Sequence, residues 1–137
     1  MCNNNVNTDK TRAALGMQMK RKELQCGATI SKKEKKLLIA TALSLDAPYY
    51  LIMRRLVRYI LDGKIEWTDF FRKSNDLTVG DESEESGKVF VRTLLTHDAY
   101  IAFGQLAEEW GSTTSIILRR LVLLYITGKI ERHAIWY

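Results

Sequence analysis

The sequence has few of the residues from which metal sites and disulfides are built. It contains two cysteines, Cys2 and Cys26, which form no CxxC pair, and two histidines, His97 and His133. A structural zinc site needs four such ligands at short spacings, so this composition argues against one. Because Cys26 lies between apolar strand positions, we expect a buried thiol in a reducing cytosol.

Long apolar runs and catalytic motifs are also missing. No uninterrupted apolar stretch approaches the length of a membrane span, and the first residues, Met-Cys-Asn-Asn-Asn, lack the apolar core of a signal peptide. His97 and Asp98 are adjacent, but no nucleophile, glycine-rich phosphate loop or carboxylate pair accompanies them. The sequence therefore favours a cytoplasmic protein that is not an enzyme, needs no cofactor and contacts no membrane.

Basic residues are concentrated in the first half of the chain. Residues 1–66 carry 13 Lys and Arg against 6 Asp and Glu, whereas residues 67–137 carry 8 against 10. The two halves therefore have net charges of +7 and −2. A basic half favours a polyanionic partner, although it can also be a solvated surface with no partner.

What the chain does contain is an internal repeat. Residues 54–66 recur as residues 119–131, at an offset of 65, and both segments begin with Arg-Arg-Leu-Val and end with Gly-Lys-Ile-Glu. These 8 identities in 13 positions exceed the roughly one that ordinary composition gives. We interpret the chain as a duplication of one small unit.

Each repeat begins with a strand pattern, residues 23–30 in the first and 88–95 in the second. Apolar side chains alternate along both strands and predict one buried face. That face comprises Leu24, Cys26, Ala28, Ile30, Val89, Val91, Thr93 and Leu95. The opposite face comprises Glu23, Gln25, Gly27, Thr29, Lys88, Phe90, Arg92 and Leu94. Since a lone strand leaves its backbone unpaired, we expect the two strands to pair antiparallel as a ribbon.

Two helices follow each strand. The first helix begins at a cap, Ser31 or Thr96, and its buried stripe is predicted from helical spacing. The stripes are Leu38, Thr41, Ala42 and Leu45 in one repeat, and Tyr100, Phe103, Leu106, Ala107 and Trp110 in the other. The first turn from Lys32 to Lys36 is expected to be solvated. The second helix is apolar nearly all round and ends at Gly63 or Gly128, as expected of a central core helix.

The pattern divides the chain into five segments. They are a flexible basic arm at 1–22, a first repeat at 23–63, a linker at 64–87, a second repeat at 88–128 and a C-terminal tail at 129–137. The linker is predicted to hold a short packed helix through Trp67, Phe70 and Phe71, followed by a flexible acidic stretch. The predicted fold is mainly α with a two-stranded antiparallel ribbon, in which the repeats form an intramolecular pseudo-dimer.

The order of strand, amphipathic helix, turn and apolar helix resembles the ribbon-helix-helix family that includes Arc and MetJ. The second repeat carries the resemblance best, in the strand at 88–95, the helix ending Leu106-Ala-Glu-Glu-Trp-Gly111, and Ser112-Thr-Thr-Ser-Ile-Ile-Leu-Arg119. Two copies in one chain resemble the arrangement of the relaxosome protein TraY. The resemblance covers about 80 of the 137 residues.

This resemblance implies a ribbon that lies in the major groove of double-stranded DNA and second helices whose N-termini hold phosphates. By position, the implied base-contacting residues are Gln25, Thr29, Lys88 and Arg92. The implied phosphate-contacting residues are Tyr49, Tyr50, Thr113, Thr114, Ser115, Lys32 and Lys33. Because the two strand faces differ, we expect a non-palindromic DNA site.

Two classes of function follow. One is a plasmid or phage DNA-binding protein, acting as a transcriptional regulator or a relaxosome-type accessory factor in conjugation. The alternative is a protein-binding module, such as an antitoxin whose ribbon or tail contacts a protein. Phe90 and Leu94 favour the alternative, because they make poor hydrogen-bonding partners for bases, although they can touch thymine methyl groups or be covered by the N-terminal arm. Self-association or a further protein partner remains open.

The arginine pairs of the repeat, Arg54-Arg55 and Arg119-Arg120, invite a DNA-binding role as well. They lie in the middle of the central helices, and we expect them to be away from the ribbon. Salt bridges, or solvated guanidinium groups above apolar stems, are therefore the expected roles.

Overall fold

The computed structural model of the chain describes residues 23–75, 77 and 87–136. The elements are β1 (Glu23–Ser31), α1 (Lys32–Ser44), α2 (Tyr49–Leu61), α3 (Trp67–Ser74), β2 (Lys88–Thr96), α4 (His97–Glu109), α5 (Thr114–Ile126) and a short 3-10 helix (Ala134–Trp136). The prediction of a mainly α fold with a two-stranded antiparallel ribbon is confirmed. The predicted basic arm and the acidic stretch at 81–86 lie outside the described residues.

The two strands pair along their whole length. Glu23 lies opposite Thr96 at one end of the ribbon, and Ser31 lies opposite Lys88 at the other. Ala28, Ile30 and Val91 are fully buried on the inner face. The outer face exposes Glu23, Gln25, Thr29, Lys88, Phe90, Arg92 and Leu94. The alternating pattern therefore predicted both faces of the ribbon correctly.

Corresponding elements of the two repeats begin and end 65 residues apart, which holds for the strands, for α1 and α4, and for α2 and α5. The packing crosses between the repeats, since α5 lies against β1 and α2 lies against β2. Helices α2 and α5 also contact each other at the centre of the core. No single described helix is long and apolar enough to cross a membrane; α1 and α2 meet that test only as a pair bent by 91°.

Polar side chains cap α1, α4 and α5 at their first turns. The Ser31 hydroxyl accepts from the Glu34 backbone N–H at 3.0 Å, and the Ser31 N–H donates to the Glu34 carboxylate at 2.9 Å. This reciprocal capping box starts α1 directly after the ribbon. Thr96 and Thr113 cap α4 and α5, each through one hydroxyl bond of 3.2 Å. The predicted caps at Ser31 and Thr96 are confirmed.

Three predictions about individual side chains are wrong. Glu34 was expected in a solvated turn but is only 3% exposed, because its carboxylate turns back to the cap. Tyr100 is 41% exposed, since α4 buries Phe103 and Ala107, and Tyr100 lies to one side of that stripe. Trp67 is 55% exposed, because α3 turns Phe70 and not its first residue toward the core.

One arginine of each pair forms an ion pair. The Arg54 guanidinium lies 3.3 Å from the Glu23 carboxylate, and the Arg119 guanidinium lies 3.9 Å from that of Glu34. The expected salt bridges are therefore present. The expected distance from the ribbon is wrong for Arg54, because Glu23 is the first residue of β1.

The other arginine of each pair lies over an aromatic ring. The Arg55 guanidinium is 4.8 Å from the ring centre of Trp136, and that of Arg120 is 5.1 Å from the ring centre of Phe71. The two arginines are 65 residues apart, and so are the two aromatic residues. The repeated arrangement thus extends beyond the second helices into α3 and into the segment predicted as a tail.

Candidate nucleic-acid interface

The outer face of the ribbon combines a basic centre with mixed polar and apolar flanks. Its central cross-strand pairs are Gln25 with Leu94, Gly27 with Arg92, and Thr29 with Phe90. Each flanking pair therefore places one hydrogen-bonding side chain beside one apolar side chain. The predicted base-contacting residues Gln25, Thr29 and Arg92 lie within a few residues of one another on this face, and Lys88 lies at its end.

Phe90 has a structural role on this face. A Cβ atom built on Gly27 would lie 2.3 Å from the Cζ atom of Phe90, so the ring crosses the backbone of Gly27 diagonally. The ring is nevertheless 56% exposed. Phe90 therefore fills the space above a residue without a side chain and stays more than half exposed on the outer face.

A groove joins the ribbon to the start of α2. It has a volume of about 430 Å³ and is lined by Gln25, Tyr49, Tyr50, Arg92, Thr93 and Leu94. Two predicted base-contacting residues, Gln25 and Arg92, thus share one surface with two predicted phosphate-contacting residues, Tyr49 and Tyr50. A groove of this kind can hold the backbone of a duplex while the ribbon contacts its bases.

A buried hydrogen bond fixes the position of α2 beside this groove. The Thr93 hydroxyl donates to the backbone carbonyl of Tyr50 at 2.6 Å, and Thr93 itself is only 2% exposed. Sequence reasoning placed Thr93 on the inner face but gave it no function. The sequence did contain a signal for this bond. Thr93 is a hydroxyl residue among apolar inner-face residues, and a buried hydroxyl needs a hydrogen-bond partner.

The first turn of α2 begins beside the groove, which Tyr49 and Tyr50 line. Pro48 precedes the helix, and its carbonyl accepts from Leu51 at 3.1 Å. The N–H groups of the first residues, Tyr49 and Tyr50, precede the ladder of intrahelical bonds. They make the partly positive end of the helix, which favours an anion. The Lys35 ammonium lies 5.9 Å from the ring centre of Tyr49 and adds positive charge nearby.

The corresponding turn in the second repeat lies at another place. Thr113, Thr114 and Ser115 correspond to Pro48, Tyr49 and Tyr50 at the 65-residue offset. They begin α5, which packs against β1, and they do not line the groove of Gln25 and Arg92. Thr113 and Ser115 are exposed, and Thr114 is half-buried. The structure therefore places the predicted phosphate-contacting residues of the two second helices in two separate clusters.

The two ends of the ribbon differ in charge. Lys88 lies opposite Ser31, and the exposed Lys32 follows at once, with its N–H donating to the Gly87 carbonyl at 2.8 Å. Lys33, beside it, is half-buried. At the other end, the charge of Glu23 faces Arg54 at 3.3 Å. The predicted lysine contacts therefore gather at one end only.

The inner face of the ribbon offers no reactive group. Burial raises the pKa of the Cys26 thiol to about 11, so it is protonated at neutral pH and is not a nucleophile. Among the residues that the structure describes, no three His, Cys, Asp or Glu side chains are placed to hold one metal ion.

No family model, no curated protein and no solved structure matches this chain. The functional interpretation therefore depends on the repeat, the ribbon and the groove beside it.

Proposed function

We propose that the protein binds double-stranded DNA with the outer face of its ribbon in the major groove. The observation that carries the proposal is the groove in which Gln25 and Arg92 lie beside Tyr49 and Tyr50. Two paired strands fit the width of the major groove, and a helix N-terminus beside them is suited to a phosphate. In this interpretation the base contacts of Gln25 and Arg92 and the backbone contacts of Tyr49 and Tyr50 come from one continuous surface.

The proposed architecture is a tandem ribbon-helix-helix pseudo-dimer in one chain. Its support is that all three elements of the repeat recur at one offset, and that each second helix packs against the strand of the other repeat. The crossed packing makes each repeat depend on the other for its core. A strand and two helices alone would leave the strand unpaired and one helix face uncovered.

The proposed base-contacting residues differ in the base atoms that they can contact. The Arg92 guanidinium is suited to a bidentate contact with O6 and N7 of guanine, and the Gln25 amide to N6 and N7 of adenine. Phe90 and Leu94 are suited to the methyl group of thymine. Thr29 and Lys88 extend the reading surface toward the basic end of the ribbon. The chemistry of the two strands differs, so the proposed site is non-palindromic.

Phosphate contacts position the ribbon in this proposal. The first turns of α2 and α5 supply backbone N–H groups, with the hydroxyl groups of Tyr49, Tyr50, Thr113, Thr114 and Ser115. Lys32 and Lys33 add attraction that does not depend on base sequence. Such contacts make affinity fall as salt rises, and they give the protein its register on the duplex. The biological role that fits is a transcriptional regulator or an accessory factor at an origin of transfer.

Selection from a randomised duplex library, followed by fluorescence anisotropy on the selected site, tests the proposal. Arg92→Ala and Gln25→Ala should each weaken binding by about 5- to 150-fold and relax the preference at one base pair. Arg58→Ala is the matched control, because it also removes one exposed guanidinium but from the distal part of α2. Absence of duplex binding at low salt, or full discrimination by the Arg92 variant, would contradict the proposal.

A second candidate function is binding to a protein through the ribbon. The exposed fractions of Phe90 and Leu94, 56% and 44%, favour it, because both are large apolar side chains on the outer face. Leu94→Ala separates the two functions. On DNA it should change the preference at one thymine by a few-fold, whereas a protein-binding ribbon would show no duplex preference for this variant to alter.

A further inference from the structure

Two exposed helix faces outside the ribbon differ in their chemistry. The α1 stripe consists of Lys36, Ile39, Ala40 and Leu43, and the α4 stripe consists of Ile101, Gly104, Gln105 and Glu108. The residues of the two stripes correspond one by one at the 65-residue offset. Both stripes are exposed along their length. The repeats have therefore diverged on a surface that contributes nothing to the ribbon.

The α1 stripe exposes two large apolar side chains to solvent. Leu43 is 74% exposed and Ile39 is 38% exposed. A protruding leucine of this kind is ordinary when alone, but here it continues an apolar line along the helix. On the α4 stripe, Ile101 is 44% exposed at the opposite end of its helix.

Gly104 has no packing role among the residues that the structure describes. It lies in the interior of α4, and a Cβ atom built there would meet nothing within 4 Å. A glycine in a helix interior costs about 1 kcal/mol relative to alanine. In the described part of the chain, no neighbour requires the missing side chain, and a glycine there leaves room for a second helix to approach closely.

The charges beside the two stripes are opposite in sign. Lys32, Lys33, Lys35 and Lys36 lie in the first turns of α1, whereas Glu108 and Glu109 end α4 with no basic residue in its last turn. Both placements oppose the dipole of their own helix. Antiparallel contact between the stripes would bring these charges together and relieve both.

We propose that the α1 stripe of one molecule docks antiparallel on the α4 stripe of a second copy of this chain. Leu43 then meets Ile101, Ile39 crosses Gly104, and Lys36 faces Glu108. Because the two surfaces differ, every bound molecule keeps one stripe of each kind free, and copies join head to tail. The inference does not depend on DNA binding, and its test contains no DNA.

The contact is expected to be weak and sensitive to salt. A single helix face is smaller than the roughly 1,200–2,000 Å² that stable interfaces bury in total. Sedimentation velocity on the full chain should show an average mass that rises with concentration at about 0.1 M salt and falls toward the monomer at about 1 M. If the protein stays monomeric at every concentration up to about 1 mM, the proposal is wrong.

Gly104→Ala is the most informative single substitution, because stability and self-association should change in opposite directions. It should raise the melting temperature, because alanine favours the helix, and it should weaken self-association several-fold, because its methyl group blocks the close approach. A stabilised variant that associates like the wild type would overturn the role of Gly104. Thr68→Arg is the control for the charge that Leu43→Arg adds to the α1 stripe, since it places an exposed arginine on α3, outside both stripes.

Mixing two variants tests the head-to-tail arrangement. Leu43→Arg destroys the α1 stripe and keeps the α4 stripe, whereas Gly104→Leu does the reverse. Each alone should be monomeric, and an equal mixture should form heterodimers that do not grow further. If Gly104→Leu self-associates like the wild type, or if the mixture stays monomeric, the proposed contact is wrong. Circular dichroism melts establish that both variants are folded.

Discussion

Arg92 lies directly opposite Gly27 in the ribbon, and the two residues occupy the same position of the repeated sequence. The twofold axis of the proposed pseudo-dimer would therefore pass through this pair. Two arginines facing each other there would repel, because like charges directly across a ribbon are destabilising. A glycine on one side leaves a single guanidinium at the centre, together with space that the Phe90 ring fills.

Gly27→Ala should destabilise the fold. The added methyl group would lie 2.3 Å from the Phe90 ring and 2.7 Å from the Val91 carbonyl oxygen. Overpacking of this kind costs about 1–3 kcal/mol, measurable as a lower midpoint of urea unfolding. The double variant with Phe90→Ala should recover part of that loss but not all of it, because the contact with the Val91 backbone persists. A cost for Gly27→Ala that Phe90→Ala leaves unchanged would show that the ring does not lie over Gly27.

Thr93→Val should lower stability and binding without changing any exposed side chain. Valine has the shape of threonine but cannot donate to the Tyr50 carbonyl, which accepts the 2.6 Å bond at the start of α2. The expected loss is about 1–3 kcal/mol in the free energy of unfolding, because a buried acceptor is left without its donor. Duplex affinity should fall as well, since the bond positions Tyr49 and Tyr50 beside Arg92. Unchanged unfolding and binding would contradict both roles.

The ribbon could be predicted from the sequence because its information is local. Alternation over eight residues identified the buried face of each strand, and the repeat supplied the second strand with which the first could pair. Glu34 was predicted wrongly even though Ser31 and Glu34 have the local spacing of a capping box. Its position among four lysines indicates solvent, whereas its burial depends on the Ser31 cap and on Arg119, which is far away in sequence.

The candidate groove could not be predicted from the sequence, because it is formed by tertiary contacts. The predicted residues Gln25 and Tyr49 were each identified by position in the motif, but nothing local indicated that they share a groove with Arg92. The diagonal contact of Phe90 with Gly27 is likewise a cross-strand feature that neither strand encodes alone. The alternation of apolar and polar residues could not predict which side chain lies over which neighbour after the strands pair.

Variants of Glu34 should distinguish its two contacts. Glu34→Gln keeps an oxygen that accepts from the Ser31 N–H but removes the charge that faces Arg119 at 3.9 Å. Glu34→Ala removes both. We expect the alanine variant to lose about 1–3 kcal/mol in the free energy of unfolding and the glutamine variant about half of that, because the ion pair is long and the cap is intact. If the two variants lose the same free energy of unfolding in chemical denaturation, the whole effect comes from the charge of Glu34.

The repeated arginine and aromatic pairs should differ in strength. Arg120 stacks on Phe71 and also donates to the Ser74 hydroxyl at 3.1 Å, whereas Arg55 stacks on Trp136. Lysine keeps the charge but not the planar donor geometry. Arg120→Lys should therefore cost about 1–2 kcal/mol and Arg55→Lys about 0.5–1 kcal/mol in thermal unfolding. The reverse order would show that α3 contributes less to the core than the 3-10 helix does.

The Cys26 thiol should make stability depend on alkaline pH. Burial raises its pKa in the folded protein from 9.0 to about 11. Below pH 9 the thiol is protonated in both states and has no effect. Between pH 9 and 11 the unfolded chain ionises first, so the unfolded state is favoured and stability falls by on the order of 2 kcal/mol. Cys26→Ala should lose less stability over that range in urea titrations. Tyr125, whose pKa burial also raises, is present in both proteins and cancels in the comparison.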